Sequence, residues 1–219
     1  MDLGKYIDHT LLKSTASIIE IEQLCKEAIQ NKFKAVCVPP YYVKAAKKFL
    51  KNKDVLVATV IGFPMGYSCT ESKIAEINTA IQDGADELDW VQNIAAVKNG
   101  DWEFIEKEIE ICLKVIRKAE KTIKVIIESG VLTEEHIIKS CEIYSKNKVD
   151  YIKTSTGYAE QGANLRHVEL IKNQIPDYIK IKASGGIRTY EDALNYINKG
   201  VSRIGTSSGI NIIIQSKLN

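Results

Sequence analysis

The chain has 219 residues, 45% of them hydrophobic, and a formal net charge of +2. That supports one well-buried core, falls a little short of two ordinary domains, and leaves no electrostatic footprint for nucleic acid. No apolar run approaches the roughly 18 to 20 residues of a membrane span. The first residues, Met1-Asp-Leu-Gly-Lys-Tyr-Ile-Asp-His-Thr10, lack the basic start and apolar stretch of a secretory signal. Lysine outnumbers arginine 26 to 4, but the lysines are spread over expected helix faces and most read as solvated. Five cysteines (Cys25, Cys37, Cys69, Cys112, Cys141) form no CxxC, so a reduced, cytoplasmic chain is expected. Three histidines, His9, His136 and His167, show no HxH or HExxH spacing, so a metal site is a poor expectation. His136 and His167 are expected on helix surfaces.

Short β-branched runs alternate with longer amphipathic stretches. A strand is expected near Tyr6–His9, followed by a helix over Ser17–Asn31 and a strand at Ala35–Val38. The next strand is Val55–Gly62, then a helix over Cys69–Gln82 and a strand at Glu87–Val91. In the stretch Trp102–Ala119, Phe104, Ile105, Ile109, Ile111, Cys112, Val115 and Ile116 approximate one helical face. A strand at Lys124–Glu128 and a helix over Thr133–Lys146 come next. Strands at Tyr151–Thr154 and Ile179–Ala183, a helix over Tyr190–Asn198 and a last strand at Arg203–Gly205 complete the series.

Eight strands alternating with helices in this length predict an α/β chain folded as a (β/α)8 TIM barrel, a single domain over residues 1–219. The competing open, doubly wound sheet usually carries a glycine-rich turn after its first strand. Here the glycines gather late, at Gly157, Gly185, Gly186, Gly205 and Gly209. Late glycine loops are where barrels commonly build a phosphate site.

Two lysines then stand out, in Tyr151-Ile-Lys-Thr-Ser-Thr-Gly157 and Ile179-Lys-Ile-Lys-Ala-Ser-Gly-Gly-Ile-Arg188. A strand lysine taken singly is usually a snorkelling end residue. Small polar loops directly after Lys153 and Lys182 suit close approach to a substrate instead. Facing one cavity, the two would destabilise each other's ammonium forms. Lowering a lysine from about 10.4 to about 7 takes roughly 4 to 5 kcal/mol. Two like charges about 4 Å apart supply roughly 4 kcal/mol at an effective dielectric near 20, so no cofactor is needed.

Asp89, near the end of the fourth strand, could relay protons, and a turn-capping aspartate is the alternative. Asp8, on the first strand beside His9, could orient a lysine or a substrate hydroxyl; purely structural hydrogen bonding is an equal alternative. Gly185-Gly186-Ile-Arg188 and Gly205-Thr-Ser-Ser-Gly209 read as an anion site, with hydroxyls from Ser207 and Ser208 and a helix start behind them. Cys37 ends the second strand; a buried small hydrophobe is its default reading.

Taken together, these segments resemble the deoxyribose-phosphate aldolase family. The resemblance rests on Ile7-Asp-His-Thr-Leu-Leu12, Val36-Cys-Val38, Val60-Ile-Gly-Phe-Pro64, Glu87-Leu-Asp89, the two lysine motifs and Arg203-Ile-Gly-Thr-Ser-Ser-Gly209, in order over nearly the whole chain. It implies a class I, Schiff-base aldolase that reversibly cleaves 2-deoxy-D-ribose 5-phosphate to D-glyceraldehyde 3-phosphate and acetaldehyde, in deoxyribonucleoside breakdown. By resemblance, Lys153 is the Schiff-base lysine, Lys182 the second lysine and Asp89 the proton-relay aspartate. Asp8 and Cys37 join the cavity, and Thr156, Gly157, Gly185, Gly186, Arg188, Gly205, Ser207 and Ser208 the substrate and phosphate loops. A sugar phosphate is the expected partner, and a homodimer the expected assembly. The alternatives are another Schiff-base barrel aldolase of a phosphorylated sugar, or a barrel that binds sugar phosphates without catalysis.

The sequence departs from common members at Trp90-Val-Gln-Asn93, which follows Asp89, and at Tyr158, where some members carry a lysine. The last tyrosine is Tyr196, so the help that some members draw from a terminal tyrosine is expected to be absent.

Overall fold

The computed structural model describes residues 1–218. Among them, eight parallel strands close into a barrel in sequence order, so the expected fold is the observed one. The strands are β1 (Ile7–Thr10), β2 (Ala35–Val38), β3 (Leu56–Ile61), β4 (Glu87–Val91), β5 (Thr122–Ile126), β6 (Tyr151–Lys153), β7 (Lys180–Ser184) and β8 (Arg203–Thr206). Around them lie α1 (Ile18–Gln30), α2 (Val43–Phe49), α3 (Thr70–Gln82), α4 (Ile94–Lys98), α5 (Trp102–Lys118), α6 (Glu134–Lys146), α7 (Leu165–Gln174), α8 (Tyr190–Asn198) and α9 (Gly209–Ser216). No described helix is long and apolar enough to cross a membrane.

The helix starts follow from local chemistry. Ser17 and Glu20 form a capping box on α1, as Thr189 and Asp192 do on α8. Asp101, Thr133 and Asn164 accept backbone N–H bonds at the starts of α5, α6 and α7. One strand departs from the sequence reading. β5 begins two residues earlier than expected and stops at Ile126, because Glu128 leaves the sheet in the left-handed region at φ 52°.

Alternation along the strands makes two different surfaces. Ile7, Val36, Val57, Leu88, Ile123, Ile152, Ile181 and Ile204 face outward and belong to the continuous core shared with the helices. Their neighbours face the barrel axis. There, Cys37, Ala58 and Val60 form a small separate apolar cluster on β2 and β3, roofed by Leu12 and Phe63. Ala35, Val91, Ile126 and Tyr151 also face inward, and between them the interior carries a set of charged side chains.

Outside the barrel, Lys73 of α3 and Glu108 of α5 form a fully buried ion pair at 2.9 Å. The Lys73 amine also donates to the Val91 carbonyl and stands 4.3 Å from the centre of the Trp90 ring. It thereby ties two helices to the strand that carries Asp89. Beside it, Ile109 is fully buried in the core. Truncation of Ile109 to alanine is expected to cost about 2–5 kcal/mol in urea unfolding, with the spread set by how far the cavity collapses.

Candidate active site

Parallel register places the interior charges next to one another. Asp89 pairs with Lys124, Lys153 with Lys182, and Lys182 with Arg203 across neighbouring strands. β4 adds Glu87, two residues before Asp89 and on the same face. All of these side chains, with Asp8 from β1, are buried. Charges that cannot reach water must reach each other.

They do so in one network. Arg203 grips Glu87 through Nη1 to Oε1 at 3.0 Å and Nη2 to Oε2 at 2.8 Å. Its Nε donates to Asp8 Oδ1 at 2.7 Å, and its Nη2 also bonds that oxygen. Lys124 lies 2.6 Å from Glu87 and 2.9 Å from Asp89. Lys182 donates to Asp8 Oδ2 at 2.5 Å and to Asp89 Oδ2 at 2.7 Å. Lys153 donates to the same Asp89 oxygen at 2.7 Å.

Three carboxylates therefore face four basic groups, and the protonation states divide accordingly. Burial alone would raise Asp8 and Asp89, but the surrounding bases hold both below the ordinary carboxylate range. Burial opposes the Lys182 ammonium too, yet Asp8 and Asp89 overcome it and hold its pKa above the ordinary value. Lys124 is raised in the same way by Asp89, Glu87 and Asp8. Lys153 is the exception. Burial is the largest influence and lowers it; the Lys182 charge lowers it further, and Asp89 opposes both without winning.

This corrects three expectations. Mutual weakening of the two lysines is only half realised: the Lys182 charge lowers Lys153, as expected, but Lys182 is itself raised by Asp8 and Asp89. Asp89 is neither at the rim nor in a turn; it is a mid-strand residue with no exposure. His136 and His167 are half-buried rather than on the surface.

Above the network, a cleft of about 330 Å³ opens at the C-terminal ends of the strands. Lys153, the last residue of β6, lines it, together with Thr156, Gly157, Gly185, Gly186, Arg188, Gly205 and Ser207. Lys182, Asp89, Asp8 and Cys37 lie below and are closed off from solvent. Ser208 precedes α9 and is not one of the lining residues. Gly157, Gly185 and Gly186 have φ between 84° and 87°, a backbone conformation adopted at little cost only by glycine, and all three line the cleft. Gly205 serves the layer below as well, since a Cβ there would stand 3.1 Å from Lys182 Cε.

Sequence reasoning gave no role to Lys124, Glu87, Arg203 or Glu128. Lys124 was detectable as a lysine in the middle of a strand, and Glu87 by its parity with Asp89. Glu128 carried no such signal. Its buried carboxylate accepts the Thr156 N–H at 3.2 Å and the Thr156 hydroxyl, so it holds the loop that follows Lys153.

Replacing Arg203 with methionine leaves Asp8 and Glu87 short of a partner. A loss of about 3–5 kcal/mol is expected in urea unfolding. The acid limb has a defined sign. Depressed carboxylates stabilise the fold above their unfolded pKa values, and that contribution fades as pH falls through the folded ones. Without Arg203 those folded values rise, so acid unfolding should begin at higher pH. An unchanged acid midpoint would contradict the network.

A model of the DeoC/LacD family aldolases matches residues 3–214. A deoxyribose-phosphate aldolase from Thermococcus gammatolerans is 50% identical over 215 residues, which is 97% of this chain and 96% of that protein. The solved structure described as QR15, an aldolase, is 42% identical with a TM-score of 0.94, covering 100% of this chain and 97% of that one. The tetrameric deoxyribose phosphate aldolase of Aeropyrum pernix is 29% identical with a TM-score of 0.92, covering 98% of this chain and 91% of that one. A closed barrel with this lysine network, matched along nearly its whole length, belongs to the DeoC/LacD family of aldolases.

Proposed function

We propose that the chain is a class I aldolase that reversibly cleaves 2-deoxy-D-ribose 5-phosphate to D-glyceraldehyde 3-phosphate and acetaldehyde. The carrying observation is the depressed amine of Lys153, which lines a cleft together with Gly157, Gly185, Gly186 and Arg188. The family match at high coverage supports the same reading.

Neutral Lys153 attacks the C1 aldehyde to give a carbinolamine, which loses water to form a protonated imine. The imine draws electrons. The C3 hydroxyl gives up its proton, the C2–C3 bond breaks, and the electron pair rests in an enamine on Lys153. Glyceraldehyde 3-phosphate leaves. The enamine takes a proton at C2, and water frees acetaldehyde and restores the amine. Asp89 bonds both lysines through one oxygen, so it can pass a proton between Lys153 and the network below. The glycine loops, with Thr156, Ser207 and Arg188, hold the phosphate and thereby orient the reacting end. Cys37 and Asp8 act from beneath, Cys37 as apolar floor and Asp8 as the partner that keeps Lys182 charged.

The setting proposed is a homodimer in the cytoplasm. Its cysteines are free among the described residues, and Ile18 and Ile19 are exposed at the start of α1. Light scattering showing a mass near twice 24.5 kDa supports the dimer, and a monomer mass rejects it.

Borohydride reduction in the presence of 2-deoxyribose 5-phosphate should trap a stable adduct on Lys153, located by peptide mass mapping. An adduct on Lys182 would reverse the lysine roles. No adduct, in folded protein that binds the sugar phosphate, would reject the aldolase reading.

The pH profile of kcat/KM follows from the same assignment. Activity should rise with pH as Lys153 loses its proton, below the ordinary lysine range, because its folded pKa is lowered. In a Lys182→Met variant the repelling charge is gone, so Lys153 keeps its proton longer. The rising limb should move to higher pH, and activity at neutral pH should fall by roughly 10²-fold. A limb that stays in place would show that Lys182 does not tune Lys153.

A further inference from the structure

Tyr158 sits at a boundary. Its hydroxyl donates to the Leu12 carbonyl at 2.8 Å, joining the loop after β6 to the loop after β1. Its ring meets Phe63 edge-on at 5.2 Å and 88°, which adds the loop after β3. The side chain nonetheless remains 54% exposed, so one hydrogen bond and one ring contact hold it in place.

On one side of this ring is the cleft above Lys153. On the other is a second pocket of about 330 Å³, lined by the apolar side chains of Pro64, Met65, Ile94, Val131 and Ala159. Thr156 and Tyr158 line both spaces. Thr156 is fixed by Glu128 and is buried, whereas Tyr158 is the side chain that could yield.

The polar groups at the second pocket are already engaged. Lys98 donates to the Val131 carbonyl at 3.2 Å, and Glu128 accepts from Thr156. What remains open is hydrocarbon surface, suited to an uncharged chain rather than to a phosphate.

We propose that Tyr158 is a specificity-determining residue that walls the cleft off from this apolar pocket. The pocket takes the hydrocarbon tail of a non-phosphorylated acceptor aldehyde once the phenol is shortened or displaced. This rests on the aldolase reading, run in the synthetic direction. Acetaldehyde is held on Lys153 as its enamine. Its C2 bonds to C1 of the acceptor, the acceptor carbonyl oxygen takes a proton, and water releases the product from the lysine. With hexanal as acceptor the product is 3-hydroxyoctanal.

The test measures kcat/KM for condensation of acetaldehyde with D-glyceraldehyde 3-phosphate and with hexanal. Wild type should strongly favour the phosphorylated acceptor. Tyr158→Ala should improve hexanal by roughly tenfold, the scale of one or two methylene groups moved out of water. Tyr158→Phe, which loses only the tether to Leu12, should gain less. Adding Val131→Trp to Tyr158→Ala refills the pocket; it should cancel the gain and leave the phosphorylated acceptor as it is in Tyr158→Ala. The proposal is overturned if Tyr158→Ala leaves hexanal unchanged, loses both acceptors alike, or keeps its gain when Val131 becomes tryptophan. Failure of wild type to condense acetaldehyde with glyceraldehyde 3-phosphate would instead reject the aldolase reading on which the proposal stands.

Discussion

The barrel axis holds an unequal number of buried charges, and much else depends on that inequality. Asp8, Glu87 and Asp89 balance Lys124, Lys182 and Arg203, and Lys153 is left over. In a closed interior an extra positive charge has neither water nor a carboxylate of its own to stabilise it. Lys153 shares Asp89 with two other amines and lies at the top of the network, next to the cleft. Its proton is the easiest of the set to release. The lowered pKa of Lys153 is thus a property of the whole interior, with burial the leading cause and the Lys182 charge adding to it.

The same strands that carry the charges also carry the glycine loops. β6 bears Lys153 and leads into Thr156 and Gly157. β7 bears Lys182 and leads into Gly185 and Gly186. β8 bears Arg203 and leads into Gly205 and Ser207. A parallel strand rises about 3.3 Å per residue, so a few residues separate the charge network from the glycine loops by a fixed height. In the proposed reaction, a sugar phosphate held by these loops would present its other end to Lys153. Glu128, two residues past the end of β5, holds the loop that follows β6 through its bonds to Thr156.

The order of strands and the main helices were legible because the outward strand faces are continuous runs of Val, Ile and Leu, and α1, α3, α5, α6 and α8 carry clear amphipathic patterns or caps. The short helices α2 and α4 offer too few turns for periodicity to speak. β5 was misplaced because Ile127 extends its apolar run, while the chain turns at Glu128, whose carboxylate bonds Thr156 in the loop after the neighbouring strand β6. Tyr158 was visible as a departure from the family pattern, but its bond to Leu12 joins residues 146 positions apart and no local pattern records it.

By itself the sequence determined the barrel, the two lysine motifs and the glycine loops, since alternation, β-branched runs and positive-φ turns are written locally. It also carried a family resemblance specific enough to name a reaction. The tertiary structure alone decided that Lys182 is raised while Lys153 is lowered, that Asp89 lies below the cleft rather than on its rim, and that Lys124, Glu87 and Arg203 complete the network. The physical reason is that a pKa depends on the sum of burial and every nearby charge. Here those charges come from strands β1, β4, β5, β6, β7 and β8, and only closing the barrel brings them within hydrogen-bonding distance.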